Sequence, residues 1–266
     1  MVSGTIEDRA VLHNKTGALY FIYIQDGHLG AQVSSDNGET FLPYTINFGM
    51  RELSGFRKIR TFMRYSYDWL CFFIAEENGT EGIYALECDE NGELRLLFGS
   101  FTGDDKREPI DEYRVSYDEL DGFSLAYLRA DRLYSTSVSP VDGVVASCFI
   151  SVDGEHVTAF RYSPIDVDGD IVFEGTYTWR DTAGIVSVTG FTIANGTVIE
   201  RNTLATAVSS QSLNKTIMNP NGSRQFVLKE PEKISFRDYT AGIWGPLYSV
   251  PVPYADWQYT ILFDGS

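Results

Sequence analysis

The chain is poor in cysteine, histidine and positive charge, and it has no long hydrophobic run. Its three cysteines, Cys71, Cys88 and Cys148, are an odd number without metal-ligand spacing. That excludes a complete disulfide framework and leaves buried free thiols as the default. A Cys71–Cys88 bridge between neighbouring strands stays open, since spacing alone does not set its geometry. His13, His28 and His156 are far apart and form neither a zinc pattern nor part of a nucleophilic triad. Gly-x-Ser-x-Gly, phosphate-loop and dinucleotide motifs are all missing. Lys and Arg number 21 against 37 Asp and Glu, a formal net charge of −16. Such a surface is soluble and repels the nucleic-acid backbone and anionic lipid, which are bound through clustered cations. No apolar stretch reaches the roughly 20 residues of a membrane span. The opening Met1–Asp8 is polar and acidic, not a secretory leader. The chain is expected to stay where it is made or to follow a removed leader. Its compartment is left open, with extracellular, surface-associated and virion settings all compatible.

What the chain has is β-forming texture. Aromatics reach 14 %, with 16 Tyr and 17 Phe, and 24 Gly supply turns. Short β-patterned runs alternate with turn signals almost from end to end. Ala18–Gln25 and Leu29–Ser34 flank Asp26-Gly27, and Trp69–Ala75 and Ile83–Cys88 flank Asn78-Gly79. Further runs include Phe123–Leu128, Leu133–Val138, Val144–Val152, Val157–Tyr162, Ile171–Trp179, Ile185–Ile193, Gln225–Lys229 and Trp257–Phe263. No long amphipathic helix is visible, and Phe236–Tyr254, rich in Gly and Pro, reads as irregular. The prediction is one all-β domain over 1–266: a propeller, a β-sandwich or another β-meander. Five Asn-x-Ser/Thr triplets begin at Asn14, Asn78, Asn195, Asn214 and Asn221. Three of these are Asn-Gly turns, so they read as turn chemistry and not as glycosylation sites.

One stretch discriminates among the all-β options. Ser34-Ser35-Asp36-Asn37-Gly38-Glu39-Thr40-Phe41 reads Ser-x-Asp-x-Gly-x-Thr-aromatic between two β runs. A tight hairpin needs a residue at φ > 0, which Gly38 supplies without steric cost. Asp36 can accept hydrogen bonds from the amides of its own turn, and the hydroxyls of Ser34 and Thr40 can brace the strand ends. Phe41 is expected to fold back as an apolar plug. In Ser34, Asp36, Gly38, Thr40 and Phe41 the segment resembles an Asp-box, the turn between the last two strands of a blade in sialidase-like β-propellers. Asn-Gly echoes recur in Glu90-Asn91-Gly92-Glu93 and Ala194-Asn195-Gly196-Thr197, giving a period near 52 residues and about five or six four-stranded blades. The terminal strand Tyr259–Phe263 is expected to pair with an early strand near Arg9–Leu12 and close the last blade.

Three constellations are candidates for chemistry. Arg57, Lys58, Arg60 and Arg64 concentrate positive charge in an acidic protein; on a strand Lys58, Arg60 and Arg64 would share one face, and such a cationic face could hold a carboxylate or sulfate. The competing expectation is a strand face paired with neighbouring acids. Asp166, Asp168 and Asp170 alternate like the start of a calcium loop, although the glycine comes too early and Tyr177 stands where a bidentate Glu is needed. A polar hairpin turn is the competing expectation, and Glu174 would join a cluster if the loop folds back. Tyr67, Trp69, Trp179, Trp244 and Trp257 could stack on sugar faces, or lie in the core.

The sialidase resemblance implies three clamping arginines, the first in Arg-Ile-Pro, a tyrosine nucleophile assisted by a glutamate, and an acid/base aspartate. No Arg-Ile-Pro occurs. Arg57-Lys58-Ile59-Arg60 lacks the proline and follows the motif instead of preceding it, so sialidase chemistry is not expected. The sequence therefore points to a non-enzymatic recognition or assembly module that binds glycan or protein. Two alternatives remain: a glycoside hydrolase with carboxylates in a central pocket, and a structural component of a cell-surface or virion assembly. No cofactor is expected, calcium apart.

Overall fold

A computed structural model describes residues 5–14, 17–63, 69–88, 91–97, 99–102, 108–117, 122–139, 143–167, 170–209, 212–218 and 223–252. Among them there is no α-helix; the chain is all-β, with strands in five sheets. The chain divides into two compact units, Met1–Ala130 with Tyr134–Ser147, and Asp131–Leu133 with Cys148–Ser266.

The sheets follow one another along the sequence. The first holds β1 (Ile6–His13), β2 (Leu19–Gln25), β3 (His28–Ser34) and β4 (Leu42–Tyr44), in that spatial order. The second holds β5 (Ile46–Asn47), β6 (Ser54–Met63), β7 (Trp69–Glu77), β8 (Thr80–Cys88) and β9 (Leu94–Leu96), ordered β5-β9-β8-β7-β6 with β5 parallel to β9. The third is β10 (Ile110–Tyr117), β11 (Phe123–Arg129), β12 (Arg132–Ser139) and β13 (Gly143–Phe149). The fourth is β14 (His156–Val167), β15 (Asp170–Arg180), β16 (Val186–Ala194) and β17 (Thr197–Thr206). The fifth is β18 (Leu213–Met218), β19 (Arg224–Lys229), β20 (Lys233–Thr240), β21 (Ile243–Trp244) and β22 (Tyr248–Pro251), the last two both pairing with β20.

The Asn-Gly echoes occupy equivalent places. Asn37-Gly38 joins β3 to β4, Gly92 lies between β8 and β9, and Asn195-Gly196 joins β16 to β17. Each is the connection from the third to the fourth strand of its meander. Ala241-Gly242 does the same between β20 and β21, with φ of 51° and 81°. Positive φ at these corners matches the right-handed strand twist, so Asn and Gly recur there.

In the first unit, β7 explains the unbroken apolar run Leu70–Ala75, all of it fully buried. Cys71, Phe73 and Ala75 point into a core shared with Tyr20, Ile22 and Ile24. Leu70, Phe72 and Ile74 point the other way, among Tyr113, Phe123 and Leu125. A strand covered on both faces has no reason to alternate with polar residues. Phe72 packs edge-on to Phe123 with ring centroids 4.9 Å apart. Cys71 and Cys88 are buried, and no disulfide joins them.

Two parts of the chain differ from expectation. Residues 236–254 are not simply irregular: β20, β21 and β22 run through 233–251. The prolines Pro246 and Pro251 sit beside or in these short outer strands, where a missing N–H is tolerated. Regular alternation also fails in β6. Phe56 and Ile59, three residues apart, are both buried in the same core. A bulge makes this possible: the register slips on both sides of Arg57, and Lys58 takes φ 55°. Arg9–Leu12 does lie in a strand, β1, while its expected partner Tyr259–Phe263 falls outside the described residues.

Candidate functional site

The 34–41 turn is built around one carboxylate. Asp36 Oδ1 accepts from Ser34 Oγ at 2.7 Å and from the Thr40 amide at 2.9 Å, while Oδ2 accepts from Thr40 Oγ1 at 2.5 Å. Ser34 Oγ in turn accepts from the Gly38 amide at 2.8 Å. The hydrogen bonds from Thr40 and Ser34 hold the Asp36 carboxyl down at about 2. Phe41 folds back edge-on to Phe21, with centroids 6.2 Å apart, yet stays 37 % exposed. The turn is self-satisfied and leaves its carboxylate no spare role in chemistry.

The cationic run is turned onto acids within the first unit. Arg57 forks onto Glu81, with Nε–Oε1 3.2 Å and Nη2–Oε2 2.5 Å, and Nη2 also reaches the Ile110 carbonyl at 2.7 Å. Lys58 and Arg60 converge with Arg114 on Glu112, at 3.4, 3.3 and 3.0 Å. Burial opposes ionisation of Glu112, but the Tyr113 amide and the charges of Arg114, Lys58 and Arg60 outweigh it and lower its pKa. An incoming anion would have to displace Glu81 or Glu112. Arg64 lies outside the described residues. A groove of about 750 Å³ lies on the same unit beside Tyr44, Asn47, Arg51 and Glu93. Its polar groups are also engaged, Asn47 with Glu93 at 2.9 Å and Arg51 with both oxygens of Glu77.

The calcium candidates fall at the β14–β15 hairpin, where Asp166 faces Ile171 and Val167 faces Asp170 in the backbone register. Asp168 lies outside the described residues. Among the described residues no three acidic, histidine or cysteine side chains form a metal-holding group. Of the aromatic candidates, Trp69 packs against the core of the first unit, and Trp179 donates its indole N–H to Thr189 at 2.9 Å. Tyr67 and Trp257 lie outside the described residues.

The second unit holds the arrangement with most chemical potential, and strand register creates it. Across β15, β16 and β17, Glu174 faces Thr192 and Thr192 faces Glu200. Directly opposed residues share a sheet face, so these three form one row. Across β19, β20 and β21, Arg224 faces Tyr239 and Tyr239 faces Trp244. The two rows meet in a small crevice lined by Glu174, Thr192, Glu200, Asn202, Arg224 and Trp244. Arg224 forms a salt bridge with Glu174 and lies 5.0 Å over the Tyr239 ring. Tyr239 and Trp244 rings are 5.0 Å apart. Glu200 takes Asn202 Nδ2 at 2.7 Å, with Tyr239 Oη at 3.4 Å and Thr192 Oγ1 at 3.5 Å. Burial pushes the Glu174 carboxyl up, Arg224 opposes this, and the Glu200 charge adds to the rise. Burial and the same Glu200 charge push the Tyr239 hydroxyl up. The free space is about 20 Å³, enough for one water-sized group.

The sequence marks Glu174 and Trp244 only separately and does not mark Glu200, Arg224 or Tyr239: each is one charged or aromatic residue on an ordinary strand, and only the pairing register brings them together.

The opposite face of the fourth sheet carries a second Tyr–Glu–Arg set. Tyr177 Oη donates to Glu155 Oε2 at 2.8 Å and accepts from Arg201 Nε at 2.7 Å. Arg201 also salt-bridges Glu155, whose Oε2 takes the Val152 amide at 2.9 Å. A tyrosine assisted by a glutamate is the sialidase nucleophile, but Tyr177 is fully buried. Burial drives its hydroxyl well above the usual tyrosine range, the opposite of activation.

No protein-family model matches the chain, and no curated protein sequence matches it. Among solved structures it is similar to the polysaccharide lyase Uly1, at 11 % identity over 97 % of this chain and 71 % of that one, with a TM-score of 0.54. Weaker likenesses are the Dos1 propeller, at 10 % identity over 94 % and 62 % of the two chains with TM-score 0.46, and the Hadza microbial sialidase Hz136, at 11 % over 93 % and 58 % with TM-score 0.41. Identities this low bear on the fold alone. The fold class is that of a β-propeller. Among the described residues five successive meanders follow one another along the chain. No helix among the described residues is long and apolar enough to cross a membrane.

Proposed function

We propose that the protein is a non-enzymatic recognition module that binds glycan at the crevice between the Glu174–Thr192–Glu200 and Arg224–Tyr239–Trp244 rows. The observation that carries this reading is an aromatic ring, Trp244, lining one small opening with a cluster of hydrogen-bonding groups and backed by the Tyr239 ring. Sugars present apolar ring faces rimmed by hydroxyls, and an aromatic plate beside carboxylate and amide groups matches both features. The 34–41 turn serves as a structural Asp-box in this reading, and the Arg57–Arg60 face as a strand-to-strand clamp.

One observation favours a second reading, a glycoside hydrolase. Glu174 is held toward its protonated form beside a second carboxylate, Glu200, and an acid–base pair of this kind cleaves glycosidic bonds. Against it, Glu174 is tied to Arg224 by a salt bridge.

NMR of the protein with a mixed glycan library, with and without calcium, separates the readings. Shifts at the Trp244 indole without new products, lost in Trp244→Ala, are expected. New product resonances abolished in Glu174→Gln would establish the hydrolase instead. Complete silence would leave a protein partner as the ligand. A calcium requirement removed by Asp168→Asn would place the ion at the 166–170 turn.

A further inference from the structure

The charge and size of the crevice also bear on which glycan enters it, and this step rests on the recognition reading above. Arg224 is committed to Glu174 and neutralises it. Glu200 has no cationic partner among its hydrogen bonds: its donors are Asn202, Tyr239 and Thr192, all neutral. Two of the three lie at 3.4 and 3.5 Å, the outer limit of a hydrogen bond. A carboxylate accepts about four hydrogen bonds, so Glu200 retains capacity for a strong donor. It is half-buried, so a ligand can reach it. Beside it stands the Trp244 ring, whose face attracts cations, while the Tyr239 ring is already covered by Arg224.

The free volume of about 20 Å³ fits one group the size of water. An ammonium is of that size and donates three hydrogen bonds. A carboxylate is larger, and the charge of Glu200 would repel it. We infer that the crevice recognises the protonated amine of an amino sugar, the ammonium entering against Glu200 while the sugar ring lies on Trp244. The same geometry disfavours sialic acids and uronates, in keeping with the net charge of −16.

Isothermal titration calorimetry at pH 6 on the intact protein tests this with three ligands of equal length: glucosamine oligomers, their N-acetylated counterparts and oligouronates. Glucosamine oligomers should bind about tenfold or more tightly than the N-acetylated ones, as a charge-assisted hydrogen bond provides, and oligouronates should not bind. Glu200→Gln keeps the shape and should erase the preference for the amine. A circular-dichroism spectrum and urea midpoint of Glu200→Gln matching those of the parent guard against a variant that misfolds. Equal affinity for the amine and its acetylated form, or preference for the uronate, overturns the amine assignment while the recognition reading stands. Binding of none of the three, with neutral glycans also silent, overturns both.

Discussion

The two faces of the fourth sheet carry the same residue types to opposite ends. Tyr177 and Arg201 sit on one face with Glu155; Glu174 and Glu200 sit on the other, opposite Arg224 and Tyr239. On the first face the Tyr177 hydroxyl and both Glu155 oxygens have partners, and Tyr177 is fully buried. On the second, Glu200 is half-buried and loosely held, and a water-sized space remains. Composition therefore does not distinguish a strut from a site. Completion of the hydrogen-bond set does, because a saturated buried network resists change whereas an unsaturated one beside solvent has capacity for a ligand.

The comparison breaks most sharply in Glu155→Ala. That change leaves Tyr177 buried without its acceptor and half-buried Arg201 without its carboxylate, and should cost about 3 kcal/mol, read as a lower urea midpoint, whereas Glu200→Ala should cost under about 1 kcal/mol. Equal losses would mean that the crevice is a strut as well. Gly175→Ala strikes next, at about 2 kcal/mol. A Cβ there would lie 2.2 Å from the Arg161 carbonyl and 2.3 Å from Phe191, so the substitution should disturb both faces together.

pH sharpens the contrast with a smaller effect. The folded state keeps the Glu174 proton longer than the unfolded chain, so stability should fall as pH rises from the ordinary value of 4.5 through the raised one. The proton of Tyr177 is likewise retained, but its loss begins only above the usual 10.0. Thermal melts from pH 4 upward should therefore show a mild early decline that Glu174→Gln flattens, and a separate alkaline one that it leaves intact. The smallest effect belongs to the 34–41 turn. Asp36 titrates at about 2 instead of 3.8, so its contribution should persist in mild acid and vanish only as pH falls through that window. Melts of Asp36→Asn should lack this acid-limb decline.

The linear sequence settled what local chemistry settles. Alternating β runs, Asn-Gly corners near a 52-residue period and the bracing of Asp36 by Ser34 and Thr40 all follow from steric and hydrogen-bonding rules that act within a few residues. Strands β10 and β18 carry no clear signal in the sequence, and 236–254 reads as irregular although β20 to β22 run through 233–251, because half-exposed or proline-flanked strands carry little periodicity. The tertiary structure decided everything that depends on register and on the side-chain partners of distant strands. It set the bulge at Lys58 that buries both Phe56 and Ile59, turned Arg57 and Arg60 onto Glu81 and Glu112, and aligned Glu174 with Glu200 and Arg224 with Trp244. A one-residue slip in strand pairing moves every side chain to the other face. The crevice is therefore a property of how the strands pair, which no single stretch of the chain encodes.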